Sequence, residues 1–141
     1  MKKRILSILL TLCMVLCLLP TAVLAADEVS AKVNGIAVPA AGGSVTGEGI
    51  SGSVVFDASA KTLTLENATI SVTTEEKAID IRSGIDTLIL KGKNEIKWAD
   101  ESDKTVSIYA ISASVSSFLI KGNSRNDSLT VTLPGTKDGY R

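Results

Sequence analysis

The chain has no histidine, and its two cysteines, Cys13 and Cys17, both fall within the first 26 of its 141 residues. Without histidine there is no imidazole for general acid–base catalysis, and without a later cysteine there is no thiol nucleophile and none of the usual zinc ligand sets. Aromatic residues make up only 4%, with a single tryptophan, Trp98. Basic and acidic residues balance at 15 each, so the basic stripe that phosphate neutralisation demands is missing and nucleic-acid binding loses support. Beyond residue 26 no segment carries the 3.6-residue apolar period of a helix.

What is present begins with an export signal. Lys2, Lys3 and Arg4 precede an almost unbroken apolar run over residues 5–19, Pro20 ends it, and Val23-Leu24-Ala25-Ala26 offers small residues for cleavage. That layout predicts a secretory signal peptide over residues 1–26. The apolar run is short for a bilayer span, which needs roughly 20 residues. Nothing later serves as a stop-transfer segment, so no membrane insertion is expected after cleavage. The mature chain then starts at Asp27 with 115 residues, 12 basic against 15 acidic, and no cysteine. It can form no disulfide, so stability must come from packing, backbone ladders or an ion. No cysteine follows Ala26 to take a lipid anchor, and no sorting tail is visible. The expected location is extracellular or at the cell surface.

The mature chain repeats itself. Ala78-Ile79-Asp80-Ile81 and Thr87-Leu88-Ile89-Leu90-Lys91-Gly92 return, 30 residues later, as Ile108-Tyr109-Ala110-Ile111 and Ser117-Phe118-Leu119-Ile120-Lys121-Gly122. A shorter echo, Thr62-Leu63-Thr64-Leu65-Glu66-Asn67, precedes Thr87 by 25. A period of this size is the mark of a solenoid, whose units bury an apolar face only by stacking on copies of themselves. Within each unit the pattern alternates: Ile79 and Ile81, then Leu88 and Leu90, share one face, with Asp80 and Ile89 on the other. Ile89 and Leu119 keep the second face apolar, covered or docking a neighbour. The expectation is an all-β, right-handed parallel β-helix (β-solenoid) with an N-terminal β-hairpin region; a β-sandwich is the alternative. Three parts follow: a signal peptide over 1–26, N-terminal strands and cap over 27–61, and β-helix coils over 62–141. The hairpin is read from Gly52-Ser53-Val54-Val55-Phe56-Asp57 and Thr62-Leu63-Thr64-Leu65-Glu66 across a polar connection. Asn67, Asn94 and Asn123, near successive corners, suggest a stacked amide ladder.

The stretch from Gly52 through Lys61-Thr62-Leu63-Thr64-Leu65-Glu66-Asn67-Ala68-Thr69-Ile70, followed by Ala78-Ile79-Asp80-Ile81 and Leu88-Ile89-Leu90-Lys91-Gly92-Lys93-Asn94-Glu95-Ile96, resembles exported bacterial carbohydrate-binding domains of the clostridial cellulose- and pectin-binding type. The resemblance covers about residues 45–125. It implies a polysaccharide-lyase-like parallel β-helix with calcium sites that binds cellulose or acidic sugar polymers without cleaving them. Such domains continue through more coils, so the chain is expected to be incomplete at its C-terminal end. A last coil without a cap leaves a bare strand edge, and self-stacking is a second expected partnership.

Candidate sites follow from residue chemistry. Trp98, beside Lys97 and Asp100, offers a flat apolar ring in polar surroundings, as a sugar platform requires. The alternation Ile96, Trp98 equally makes it a core cap. Tyr109 is a second candidate sugar contact, although its alignment with Ile79 makes it a stacked core residue. Asp100, Glu101 and Asp103 could supply several of the six to eight oxygens that calcium takes. For catalysis, Lys91, Lys121 or Arg82 could be imagined as a lyase base, but no spacing singles one out. The expected function is therefore a secreted, non-catalytic carbohydrate-binding module, with an adhesin-like or spacer segment contacting proteins as the alternative.

Overall fold

A computed structural model describes residues 28–73, 77–98 and 108–132. Among these residues the chain is all-β, with eleven strands in two mixed sheets and no helix. The first strands are short: β1 (Ser30–Val33), β2 (Ile36–Ala37) and β3 (Gly43–Ser44). Asn34 and Gly35, both at positive φ, close a two-residue turn between β1 and β2, with Val33 opposite Ile36. β4 (Ile50–Asp57) and β5 (Thr62–Val72) form the expected antiparallel hairpin. In the loop between them the Asp57 carboxylate accepts hydrogen bonds from the Ser59 amide and hydroxyl and from the Ala60 amide. These bonds, led by the Ser59 hydroxyl, hold the Asp57 carboxyl below its ordinary value.

The remaining strands are β6 (Lys77–Ser83), β7 (Thr87–Lys91), β8 (Lys93–Trp98), β9 (Tyr109–Ala113), β10 (Leu119–Gly122) and β11 (Ser128–Thr132). One sheet has the order β2-β1-β6-β9. The other runs β10-β7-β5-β4-β3, with β8 pairing both β5 and β11. Antiparallel pairing is confined to the N-terminal strands and their contacts with β5 and β6. Every later pairing is parallel: β5 with β7 and β8, β6 with β9, β7 with β10, and β8 with β11.

Alternation decides which side chains enter the core. Leu63 lies opposite Leu88, which lies opposite Ile120; Ile70 lies opposite Ile96, which lies opposite Val131. Both sheets contribute to a single apolar cluster that includes Val33, Phe56, Leu65, Ile79, Ile81 and Ile85. The long strand β5 changes phase at Asn67, whose φ of 46° lets one residue slip so that Leu65 and Ala68 both face inward. Gly52 in β4 and Gly92 between β7 and β8 sit at the same corner with φ of 77° and 68°. A Cβ on Gly92 would strike the Asn67 side-chain oxygen, and one on Gly52 the Asn67 carbonyl. Glycine is required at both places by backbone conformation and by space.

The 25-residue echo is realised as a register, with Thr62 opposite Thr87 and Glu66 opposite Lys91. The 30-residue repeat is not. β10 pairs with β7, and β9 with β6, at an interval of 32, placing Gly122 opposite Leu90 and Ile111 opposite Ile79. A shift of two leaves every side chain on its own face, so burial cannot distinguish the two registers. The interval is already 32 at β9, so it is set before that strand; β10 keeps it through Lys121-Gly122, and the corner at residues 123–127 lengthens it to 35 at β11, where Ser128 lies opposite Lys93.

Candidate functional site

Trp98 ends β8 opposite Val72 and is buried, with 7% of its surface exposed. It continues the inward series from Ile96 into the apolar core, the arrangement of the core-cap reading. Lys97 points the other way, partly exposed, with its ammonium 3.7 Å from Glu95. Tyr109 opens β9 opposite Lys77 and is 49% exposed. The core position expected for it from its alignment with Ile79 is therefore corrected: the interval of 32 gives that partnership to Ile111. Asp100, Glu101 and Asp103 lie outside the described residues. Among the described residues no three His, Cys, Asp or Glu side chains gather around a common point where calcium could sit.

Of the imagined bases, Arg82 is held 3.2 Å from Asp80, and Lys91 is 3.9 Å from Glu66. Asp80 also meets Lys77 at 3.3 Å. Partial burial alone would raise the Asp80 carboxyl, but the hydrogen bonds and charges of Lys77 and Arg82 outweigh it and hold the group low. Small clefts open among the described residues. One, of about 220 Å³, lies among Asn34, Ile36, Glu48, Gly49, Ser71 and Thr73, and the other, of about 100 Å³, among Ser30, Ala31, Lys32, Asp80 and Arg82. Both are smaller than an ordinary small-molecule pocket of roughly 300–1,000 Å³.

A broader feature is the outer face of the larger sheet. Its register places Asp57, Thr62, Thr87 and Leu119 in one row across β4, β5, β7 and β10. The next row is Val55, Thr64, Ile89 and Lys121, and the next is Ser53, Glu66 and Lys91. Neighbouring strands lie about 4.8 Å apart, so each row is a regular array. Threonine hydroxyls alternate with apolar side chains, of which Val55 and Leu119 are exposed and Ile89 half-buried. Around the corner, Ser51, Thr69, Glu95 and Thr130 form a further polar row across β4, β5, β8 and β11. Two charge pairs lie on these faces, Glu66 with Lys91 and Glu95 with Lys97. The face thus carries hydroxyls, apolar side chains and charges in ordered rows.

The corner between β7 and β8 is tied by side chains. The buried Asn94 accepts a hydrogen bond from the Ala68 amide at 2.9 Å and donates to the carbonyls of Lys91, Gly92 and Ser128 at 3.2–3.4 Å. Asn67 accepts from the Lys93 amide at 3.2 Å. At the next level the rung belongs to Asp127 rather than to Asn123, which gives this corner its backbone N–H. The Asp127 carboxylate accepts from the amides of Gly92, Asn123 and Ser124 at 2.6–2.7 Å. These bonds, the one from Gly92 first, hold its carboxyl below the ordinary value. Compared with known proteins, the chain matches no family model, no curated protein and no solved structure.

Proposed function

We propose that the chain is a secreted, non-catalytic carbohydrate-binding module, built as a right-handed parallel β-helix, that holds a polysaccharide on the outer face of β4, β5, β7 and β10. The β-helix reading is supported by parallel pairing at three successive levels, in which side chains such as Leu63, Leu88 and Ile120 stack in register. Parallel crossover connections within a sheet are right-handed in nearly all proteins. The observation that carries the binding reading is the ordered set of rows from Asp57–Thr62–Thr87–Leu119 to Ser53–Glu66–Lys91. A pyranose has an apolar C–H face and equatorial hydroxyls, so one sugar can lie on Ile89 or Leu119 while its hydroxyls reach Thr62, Thr64 or Thr87. Lys97 and Glu95 extend the polar surface around the corner. The calcium expectation stays with Asp100, Glu101 and Asp103, and no step of the binding proposed here passes through the ion.

The test is uptake by insoluble cellulose and by pectin. Replacing Thr64→Glu together with Ile89→Glu puts two like charges side by side in the middle row, against a single Lys121. Uptake per folded molecule should fall about tenfold or more, the size of an ordinary interface loss, with folding followed separately because like charges directly opposite each other also lower stability. Unaltered uptake in that variant would move the ligand off this face. No uptake of the parent chain by either polymer would remove the carbohydrate reading and favour the spacer.

A further inference from the structure

We propose that Asn34 is a site of self-modification: folding keeps its side-chain amide intact, and in the opened chain the backbone nitrogen of Gly35 displaces that amide, leaving aspartate or isoaspartate in a turn that no longer docks. Asn34-Gly35 is the single Asn-Gly pair in the sequence. Glycine brings no Cβ to shield its own amide, so in an unfolded chain that nitrogen can close a five-membered ring on the asparagine side chain. The folded chain holds the same two residues in another geometry. They form the two-residue turn between β1 and β2, with φ of 50° and 76°, the pattern of a type I′ turn. In such a turn Asn34 has a ψ of roughly 30°, which turns the Gly35 nitrogen away from the Asn34 Cβ, whereas ring closure needs the two eclipsed.

The side chain is also held away from the ring position. Its Nδ2 donates to the Glu48 carbonyl at 2.9 Å and to the Ser71 carbonyl at 3.4 Å, while the Asn34 backbone N–H donates to the Ala78 carbonyl at 2.7 Å. One residue thus ties the β1–β2 turn of the smaller sheet to β5 and to the segment before β4 in the larger. The surroundings leave room for this amide and little else: a Cβ on Gly49 would strike both Asn34 Nδ2 and the Ser71 carbonyl. In the opened chain the Gly35 nitrogen gives up its proton to solvent and bonds to Asn34 Cγ. The Cγ–Nδ2 bond breaks, the nitrogen leaves as ammonia, and water opens the ring at either carbonyl. The sum is one water consumed and one ammonia released, with no change of oxidation state. Aspartate then offers the Glu48 and Ser71 carbonyls no N–H and faces them with a carboxylate. Isoaspartate adds a main-chain carbon to a turn whose length sets Val33 opposite Ile36.

The full chain, kept in mildly alkaline buffer either folded or in guanidinium chloride, should be followed by peptide mapping with mass spectrometry. Conversion at Asn34 should run at least about tenfold faster in the denaturant, because in the folded protein it must wait for local opening. Asn67, Asn94, Asn123 and Asn126, each followed by a residue with a side chain, should lag behind Asn34 in the denaturant. Once the denaturant is removed, chains converted at Asn34 should fail to refold or melt at a lower temperature than unconverted ones, and Asn34→Asp should also melt below the parent. Equal rates in the folded and unfolded chain would overturn the shielding, and an Asn34 no faster than the other asparagines in denaturant would overturn the site. Converted chains that regain the parent's melting temperature would overturn the docking role.

Discussion

Replacing Asn94 with alanine should cost about 2–4 kcal/mol of stability. The side chain is almost wholly buried and holds one amide and three carbonyls in place. Its removal orphans the Ala68 N–H, and Ala68 is itself 1% exposed, so water cannot readily take over. An unsatisfied buried donor costs about 1–3 kcal/mol. The carbonyls fare better, because Gly92 still accepts from the Ser128 amide at 2.9 Å and the surrounding residues of that corner are exposed; their loss adds about 1 kcal/mol. Asn94→Asp keeps the acceptor for Ala68 but turns a carboxylate toward the three carbonyls, so at pH 7 it should be the more damaging change. Urea unfolding followed by the fluorescence of Trp98, the single buried indole, reads both variants on one scale. A loss below about 0.5 kcal/mol in Asn94→Ala would refute the assignment of the corner to this side chain.

Asp127, Asp57 and Asp80 all have folded-state carboxyls below the ordinary value of 3.8. Each therefore contributes stability that is present above that value and lost as the pH falls through the lower, folded one. The melting temperature should drop on acidification below about pH 4, and Asp127→Asn should flatten part of that drop. Gly92→Ala should destabilise by about 1–3 kcal/mol in thermal melts, since it combines a positive φ with a collision against Asn67. Trp98→Phe should lower stability yet leave polysaccharide uptake per folded molecule unchanged; a selective loss of uptake would restore the indole to the site.

Alternation along the strands was legible in the sequence because burial enforces it residue by residue. Leu63, Leu65, Leu88, Leu90, Ile79 and Ile81 all face the core as their spacing requires. The interval between levels was legible where the connection is short, as for Thr62 and Thr87. It differs by two from the sequence repeat for β9 and β10, because a shift of two is invisible to an apolar pattern. Trp98 was ambiguous for a related reason. It stands at the end of a strand, where the same residue belongs both to an inward series and to a polar neighbourhood, and only the three-dimensional packing separates the two. Asp127 is invisible to equal spacing among asparagines. Its signal is local, an acidic side chain five residues after a Lys-Gly pair, where free backbone amides need an acceptor. The rows on the outer face needed cross-strand registers, which no single segment contains.

The phase change inside β5 gives this strand two roles, one half serving the hairpin with β4 and β7, the other the ladder with β4 and β8. The hairpin closes a loop of only four residues, 58–61, so its contacts are the least costly in chain entropy and form early. Once β5 is laid down, β7 and β8 find a ready edge, and β10 and β11 then find theirs. The order in which the strands are synthesised is thus the order in which each can be templated.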